Sequence, residues 1–355
     1  MIEWLDLFVT DSCNLKCSYC FHKTSGNFLS IQDSFAYISD LYEEMSNDCI
    51  INFFGGEPLL NTECIRAVVD HCKTLDKKFR FSLSTNGTLF EKDFFKFAFD
   101  NNFGVQISID GCRDTQNAYR GEYDLIISNI EKIKSIGVKI SARMTYDTSS
   151  ISDLAKNVKH IHSLGIDRVM HQAVICNDWD ESSVNKYDDQ YREIAEFYSK
   201  NRDCSSSFLN KSKLNVESKL SSPTCKAGKT LIAVDVDGTV YPCHRFASNG
   251  NYRLGTTKLF HRGIFDRVSR KDMTGCSSCA AKQTCHSCMA ANYEVNGSIT
   301  ENVSNHCNLI RRENSLMKSD APNRTKDKID ILEEKVDNIL SLLVNLCKVE
   351  LERCK

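Results

Sequence analysis

From residue 5 to about 175 the chain alternates short apolar runs with longer amphipathic stretches, and this alternation limits its fold more than any other feature. The runs Leu5–Val9, Ile50–Phe54, Phe79–Ser84, Val105–Ile109, Val138–Thr145 and Arg168–Val174 are rich in Ile, Phe and Val. Short runs of that composition read as strands buried on both faces. Helix-period stretches lie between them near residues 31–46, 62–75, 91–101, 123–136 and 152–164. Ser30 and Thr62 stand where N-caps belong, and Gly104, Gly137 and Gly165 stand where helices should stop. Repeated strand-then-helix units predict a parallel sheet with right-handed crossovers. The expected fold class is α/β, with six units closing into a partial (β/α)6 TIM-like barrel. Chemistry in such sheets belongs at the C-terminal ends of the strands.

The second constraint is eighteen cysteines in a chain of 355 residues. Forty-five Lys and Arg against forty-seven Asp and Glu leave a net charge of −2, with 41% hydrophobic residues. That balance excludes a largely disordered chain, and it offers neither a basic surface for nucleic acid nor an acidic tail. The chain has no run of eighteen apolar residues for a membrane helix. The start, MIEWLDLFVTDSC, carries Glu3 and Asp6 and lacks the apolar core of a signal peptide. A cytoplasmic protein is therefore expected, where thiols are poor disulfide formers and serve as metal ligands, catalysts or small apolar side chains. Three cysteines fall between Cys13 and Cys20 and seven between Cys225 and Cys307. Two separate metal-binding modules follow from that clustering.

Four segments are expected: a barrel over 1–180, a bridge over 181–222, a cysteine-rich domain over 223–314, and a linker with an amphipathic terminal helix over 315–355. The bridge holds one helix, Val184–Asn201, and the Ser-rich stretch Cys204–Ser222. Leu231–Val236, Asp237-Gly238 and Thr239–Pro242 read as a β-hairpin, because Asp-Gly suits a tight turn. In the tail, Ile329, Leu332, Val336, Ile339, Leu343 and Leu346 follow a heptad seam. That helix could dock on the body, self-associate or capture a partner.

Cys13-Asn-Leu-Lys-Cys17-Ser-Tyr-Cys20 directly follows the first strand. Three thiolates on one loop can hold three irons of a 4Fe–4S cubane and leave the fourth iron open. A structural zinc would want a fourth ligand, and His22 is the sole nearby candidate. This spacing, with Tyr19 before the last cysteine, resembles the signature of the radical S-adenosylmethionine (SAM) enzymes. Further segments resemble that family in the order it uses them. Gly55-Gly56-Glu57-Pro58 matches the loop that meets the methionine amino group of SAM, where glycines allow close backbone approach. Ser84 and Asn86 after the third strand, and Ser108 and Asp110 after the fourth, match contacts to the ribose and its neighbours. Arg143 on the fifth strand matches a partner for the SAM carboxylate. The resemblance implies a 5′-deoxyadenosyl radical that abstracts a hydrogen atom from an unactivated carbon, with the protein supplying orientation.

Cys225-x17-Cys243 and Cys276-x2-Cys279-x5-Cys285-x2-Cys288-x18-Cys307 resemble the SPASM domain, a twin-cluster extension of peptide-modifying radical SAM enzymes. A zinc-ribbon reading would use only the two C-x2-C pairs. The resemblance implies two auxiliary 4Fe–4S clusters, one on Cys225, Cys243 and Cys288, the other on Cys276, Cys279, Cys285 and Cys307. The first lacks an obvious fourth ligand: its iron is either open or met by Cys204. His244 follows Cys243 where sulfatase maturases carry a proton-accepting Asp. It is a candidate base, or else lines the wall and hydrogen-bonds a cluster sulfur. Cys49, Cys64, Cys72, Cys112, Cys176, Cys204, Cys347 and Cys354 match no motif, and burial is the ordinary reading for most of them.

The resemblance as a whole implies a maturase that crosslinks a ribosomally made peptide through C–C or C–S bonds. Its partners would be the precursor peptide and an electron donor such as a flavodoxin or ferredoxin, with no nucleic acid or membrane. With the first cluster cysteine at residue 13, an N-terminal peptide-recognition domain is not expected, which makes the terminal helix a candidate docking element. Formylglycine formation in a sulfatase and peptide epimerisation are the alternatives within the family. An electron carrier or scaffold is the alternative outside catalysis, and it would have no use for the Gly55–Glu57 loop.

Overall fold

The computed structural model describes residues 1–201, 203–206, 225–282, 285 and 287–319. The tail helix and Cys347 and Cys354 lie outside the described residues. Strands β1 (Ile2–Thr10), β2 (Met45–Gly55), β3 (Phe79–Thr85), β4 (Gly104–Ser108), β5 (Ile140–Tyr146) and β6 (Arg168–Ala173) pair in parallel in chain order, and β7 (Ser205–Ser206) adds to β6. Helices α1 (Ile31–Leu41), α2 (Thr62–Lys73), α3 (Lys92–Asp100), α4 (Arg113–Tyr119), α5 (Tyr123–Ser135) and α6 (Leu154–Ser163) connect them, and α7 (Glu181–Lys200) leads to β7.

Two local expectations change. The first helix stops at Leu41, and a short 3₁₀ turn leads into β2 at Met45, which pairs with Ile2 and is fully buried. Residues 45 and 46 are therefore strand, because β1 offers them a ladder partner. Thr62 is the first helical residue, and Asn61 takes the cap position. Ser30 caps α1 through a 3.0 Å bond from the Asp33 amide to its hydroxyl.

Burial alternates along the strands. Leu83, Val105, Ile107, Ala142, Met144 and Val169 pack under the helices, whereas Ser84, Gln106, Ser108 and Arg143 on the opposite face remain accessible. The interior of this partial barrel is thus polar and open to solvent, unlike the filled core of a closed barrel.

The hairpin joins this sheet. Strand β8 (Leu231–Val234) pairs in parallel with β1, and β9 (Thr239–Tyr241) returns antiparallel to it; β10 (Gly255–Thr256) and β11 (Leu259–Phe260) finish the edge. Gly238 makes the turn with φ +80°. Alternation on β1 then splits two cores. Leu5, Leu7 and Val9 enter the barrel core, while Phe8 joins a second core with Tyr241, Phe246, Phe265 and Met289. Helices α8 (His244–Asn249), α9 (Met289–Asn296) and α10 (Ser304–Ser319) complete this part. Among the described residues no helix is long and apolar enough to cross a membrane.

Candidate active site and metal centres

The Cys13–Cys20 loop leaves the C-terminal end of β1 and is held from three sides. Gly56 N–H donates to Thr10 O (3.1 Å) and Glu57 N–H to Ser12 O (2.8 Å). A Cβ on Gly55 would lie 2.0 Å from Thr10 O, and one on Gly56 would lie 2.2 Å from Ser12 O. Both glycines are required because this backbone lies against the stem of the cysteine loop. Glu57 is fully buried and turns toward β3: Thr85 Oγ1 (2.7 Å) and Leu59 N–H (3.1 Å) donate to Oε1, and Asn86 N–H (2.7 Å) donates to Oε2. Burial pushes its carboxyl up to about 7 against those hydrogen bonds. Asn86 Nδ2 donates to Asn14 Oδ1 (2.9 Å) and points at Cys13 Sγ (3.9 Å). Glu57 thus meets the stem of the cysteine loop through its backbone N–H and spends its carboxylate on β3 and its own turn, and Asn86 reaches the loop through Asn14.

The far side of the loop rests on α4, an element absent from the sequence-based expectation. Ser18 N–H donates to Tyr119 O (2.9 Å), and Arg120 lies over the Tyr19 ring at 5.1 Å. Asp110 collects Arg120 Nε (2.8 Å) and the Tyr19 hydroxyl on Oδ2, and Thr145 N–H (2.8 Å) on Oδ1. Its carboxylate is saturated by protein donors, so Tyr19 and Asp110 are brought to each other. Burial pushes the Cys13 and Cys17 thiols up, and neighbouring cysteines add to this, while Arg120 draws Cys17 down. Ser84, Ser108 and Arg143 line the open interior, with Ser108 paired in register to Arg143. The Arg143 side chain is ringed by protein yet reachable by solvent; desolvation and Arg120 lower its guanidinium, and Asp6 opposes them.

In the second part the cysteines form two groups. Burial pushes Cys243 far up, and Cys225 and Cys288 beside it add to the shift. Cys276, Cys279, Cys285 and Cys307 line one small, solvent-open pocket. There burial pushes Cys307 up to about 11, with Cys285, Cys276 and Cys279 contributing. Asn302 Nδ2 donates to Cys276 Sγ (3.1 Å). Cys204 lies apart, packed on the barrel core beside Asp167 at the start of β6.

His244 begins α8 and reaches β1, where its Nδ1 is 2.8 Å from Asp6 Oδ2. Asn52 Nδ2 (2.8 Å) and Trp4 Nε1 (2.7 Å) donate to Asp6 Oδ1. Burial pushes the Asp6 carboxyl up, but His244, Asn52 and Trp4 outweigh it and hold the group below the usual carboxylate range. The imidazole is 32% exposed and sits beside Phe54 at 4.8 Å. With Nδ1 committed to Asp6, Nε2 is the nitrogen left to meet a ligand.

A family model described as the radical SAM superfamily matches residues 7–161. Over that stretch the chain carries a radical SAM domain. Among curated relatives, the cysteine-type anaerobic sulfatase-maturating enzyme of Clostridium novyi (strain NT) is 31% identical over 141 residues, which are 34% of this chain and 37% of that enzyme. Its counterpart in Clostridium perfringens (strain 13 / Type A) is 25% identical over 282 residues, 69% of this chain and 75% of that one. The chain thus spans little more than a third of the first relative's length. Of solved structures, native anSMEcpe with bound AdoMet gives a TM-score of 0.74 at 18% identity, covering 92% of this chain and 100% of that one. Streptococcus suis SuiB bound to precursor peptide SuiA gives 0.64 at 15%, covering 86% and 76%. At these identities the likeness is one of fold, and the fold is that of radical SAM enzymes with a partial barrel.

The donor sets of this chain fit iron–sulfur clusters. All described cysteines are free thiols, and the groups offer three, three and four of them. Among the described residues no three His, Cys, Asp or Glu side chains converge on one point as ligands of a single ion do. Thiolates that each hold a different iron of a cubane need not converge in that way. Sequence reasoning missed Asp6, Arg120 and Asn14, which act on the site from the second rank. A buried acid at an inward position of β1 was the available signal for Asp6.

Proposed function

We propose that this radical SAM enzyme modifies a ribosomally made peptide, forming a C–C or C–S crosslink. The observation that carries the reading is the open polar interior of the barrel, with a three-cysteine loop at the end of β1 and two further cysteine groups in the second part of the chain. In this reading Cys13, Cys17 and Cys20 hold the cluster that binds SAM, and Gly55, Gly56, Ser84, Ser108 and Arg143 border the SAM site. Cys225, Cys243 and Cys288 hold one auxiliary cluster, and Cys276, Cys279, Cys285 and Cys307 hold the other. When bound, SAM and its 4Fe–4S cluster supply a 5′-deoxyadenosyl radical that takes a hydrogen atom from the substrate.

The chain's own residues do the rest. Asn86, Asn14 and the Asp110–Arg120–Tyr19 cluster fix the cysteine loop. Arg143 supplies a cation in the interior for a carboxylate. Asp6 holds His244 by Nδ1–H, so that Nε2 can take the proton released as the new bond forms. Phe54 and Phe21 flank that imidazole and limit water around it. A flavodoxin or ferredoxin is the proposed electron donor.

Sulfatase maturation is the second reading, favoured by the similarity to the Clostridium novyi enzyme. Anaerobic incubation with SAM and a reductant should release 5′-deoxyadenosine, and a chain that releases none is a scaffold. Co-expression with any short open reading frame found beside the gene, followed by mass spectrometry, separates the products. A crosslink removes two hydrogens, conversion of cysteine to formylglycine exchanges sulfur for oxygen with loss of two hydrogens, and epimerisation leaves the mass unchanged.

A further inference from the structure

Cys225, Cys243 and Cys288 account for three irons of a cubane, and residues 226–230 contain no cysteine. Most other described cysteines are placed elsewhere. Cys49, Cys64 and Cys72 are buried in the barrel core, Cys112 caps α4, and Cys204 lies at the start of β6. Cys176 differs from all of these. It follows β6 at the other end of that strand, on a loop whose Ile175 packs with Ala291 and Val303, with Cys288 against them. Its Sγ is 3.2 Å from Arg245 Nη2 and 3.3 Å from Glu294 Oε2. Arg245 stands two residues after Cys243, and Glu294 is on α9, whose N-cap is Cys288. Arg245 and Glu294 are themselves joined as an ion pair through both guanidinium Nε contacts, at 3.0 and 3.1 Å. One bracket of side chains thus ties Cys176 to the segments that carry two of the three cysteines, and Cys176 and Arg245 both feel the Cys288 charge.

We propose that Cys176 is the fourth protein ligand of the cluster held by Cys225, Cys243 and Cys288. The inference rests on the reading that those three cysteines hold an auxiliary 4Fe–4S cluster. Cys176 binds iron as the thiolate, its proton leaving to solvent. The Arg245 guanidinium offsets the added negative charge, and Glu294 keeps the arginine in place. A fully protein-ligated cubane has no iron for a substrate thiolate, so this cluster carries electrons and the peptide is held by the barrel interior.

The test uses full-length protein with Cys13→Ala, Cys17→Ala and Cys20→Ala, reconstituted anaerobically so that only the auxiliary clusters remain. Iron should be about eight per chain for two cubanes; about four or fewer overturns the cluster reading of the trio and the inference with it. With about eight, electron paramagnetic resonance of the reduced protein is recorded with and without imidazole as the probe ligand. The parent spectrum should be insensitive to imidazole, and Cys176→Ala should give an auxiliary signal that imidazole shifts. Cys176→Ser, which keeps a smaller polar ligand should the alanine variant fold poorly, should shift the signal even without imidazole. Cys204→Ala should match the parent. A parent signal that moves with imidazole overturns the proposal. So do Cys176 variants whose spectra equal the parent's under both conditions.

Discussion

Asp6 and His244 lie 238 residues apart in the chain and meet across a single 2.8 Å contact, which makes the pair sensitive to single-atom changes. Asp6→Asn keeps the shape but puts an amide or a carbonyl where a carboxylate accepted. On the proposed mechanism, His244→Ala and Asp6→Asn each lower product formation, by about 10²- to 10⁴-fold for the loss of a general base. Substrate-dependent 5′-deoxyadenosine continues in both, so the ratio of nucleoside to product, read by liquid chromatography, rises. A ratio equal to wild type would sink the role. Gly56→Ala is a second residue-scale prediction, since its Cβ would lie 2.2 Å from Ser12 O and backbone must move. A cost of about 1–3 kcal/mol or more follows from such overpacking, and iron should fall by about four per chain as the first cluster is lost. Glycine, cysteine and proline spacing made the loop, the Gly55–Gly56 step and the ten cysteines legible in the sequence. Asp110 and Glu57 were legible as positions but not as roles, because their partners Arg120, Thr145 and Thr85 come from other elements.

Helix α6 shows how an element is fastened to its neighbours. His162 is buried, with Nδ1 2.7 Å from Ile166 O and Nε2 2.9 Å from the Tyr198 hydroxyl of α7. Burial lowers its pKa below the ordinary 6.5, outweighing the Ile166 carbonyl and Asp167. The unfolded chain therefore binds more protons below that value, and the native state loses stability as pH falls from about 6.5. His162→Phe removes this titration at a cost of about 1–3 kcal/mol for the lost hydrogen bonds to the Ile166 carbonyl and the Tyr198 hydroxyl. Urea midpoints at pH 7.5 and 5.5 should lie closer together in the variant than in wild type. At this scale the parallel strands were readable from their apolar runs, and β6 began at the expected Arg168. Helix α4 was not, because Arg113–Tyr119 is short and polar, and it is held by the cysteine loop and by Gln116 rather than by an apolar face. The end of α1 was misplaced because Met45 satisfies either period, and the ladder to Ile2 decides.

Across the whole molecule, β8 extends the sheet beyond β1, and Phe8 carries β1 into the second core. Phe246 is buried there against Phe265 and Tyr252. Phe246→Ala should cost about 3–5 kcal/mol and act first on the cysteine-rich part. Limited proteolysis should cut within 225–319 while the first cluster keeps its iron; equal loss of all clusters would contradict two separate cores. The sequence by itself determined the α/β class, the radical SAM domain and the partition of cysteines into an early triplet and a later seven, because periodicity and spacing are local and survive without coordinates. Tertiary structure alone decided that β8 extends the barrel sheet and that Asp6 holds His244. It also ties Cys176, rather than Cys204, through Arg245 and Glu294 to the segments that carry Cys243 and Cys288. Each of these depends on contacts between residues far apart in the chain, which packing creates and no local pattern encodes.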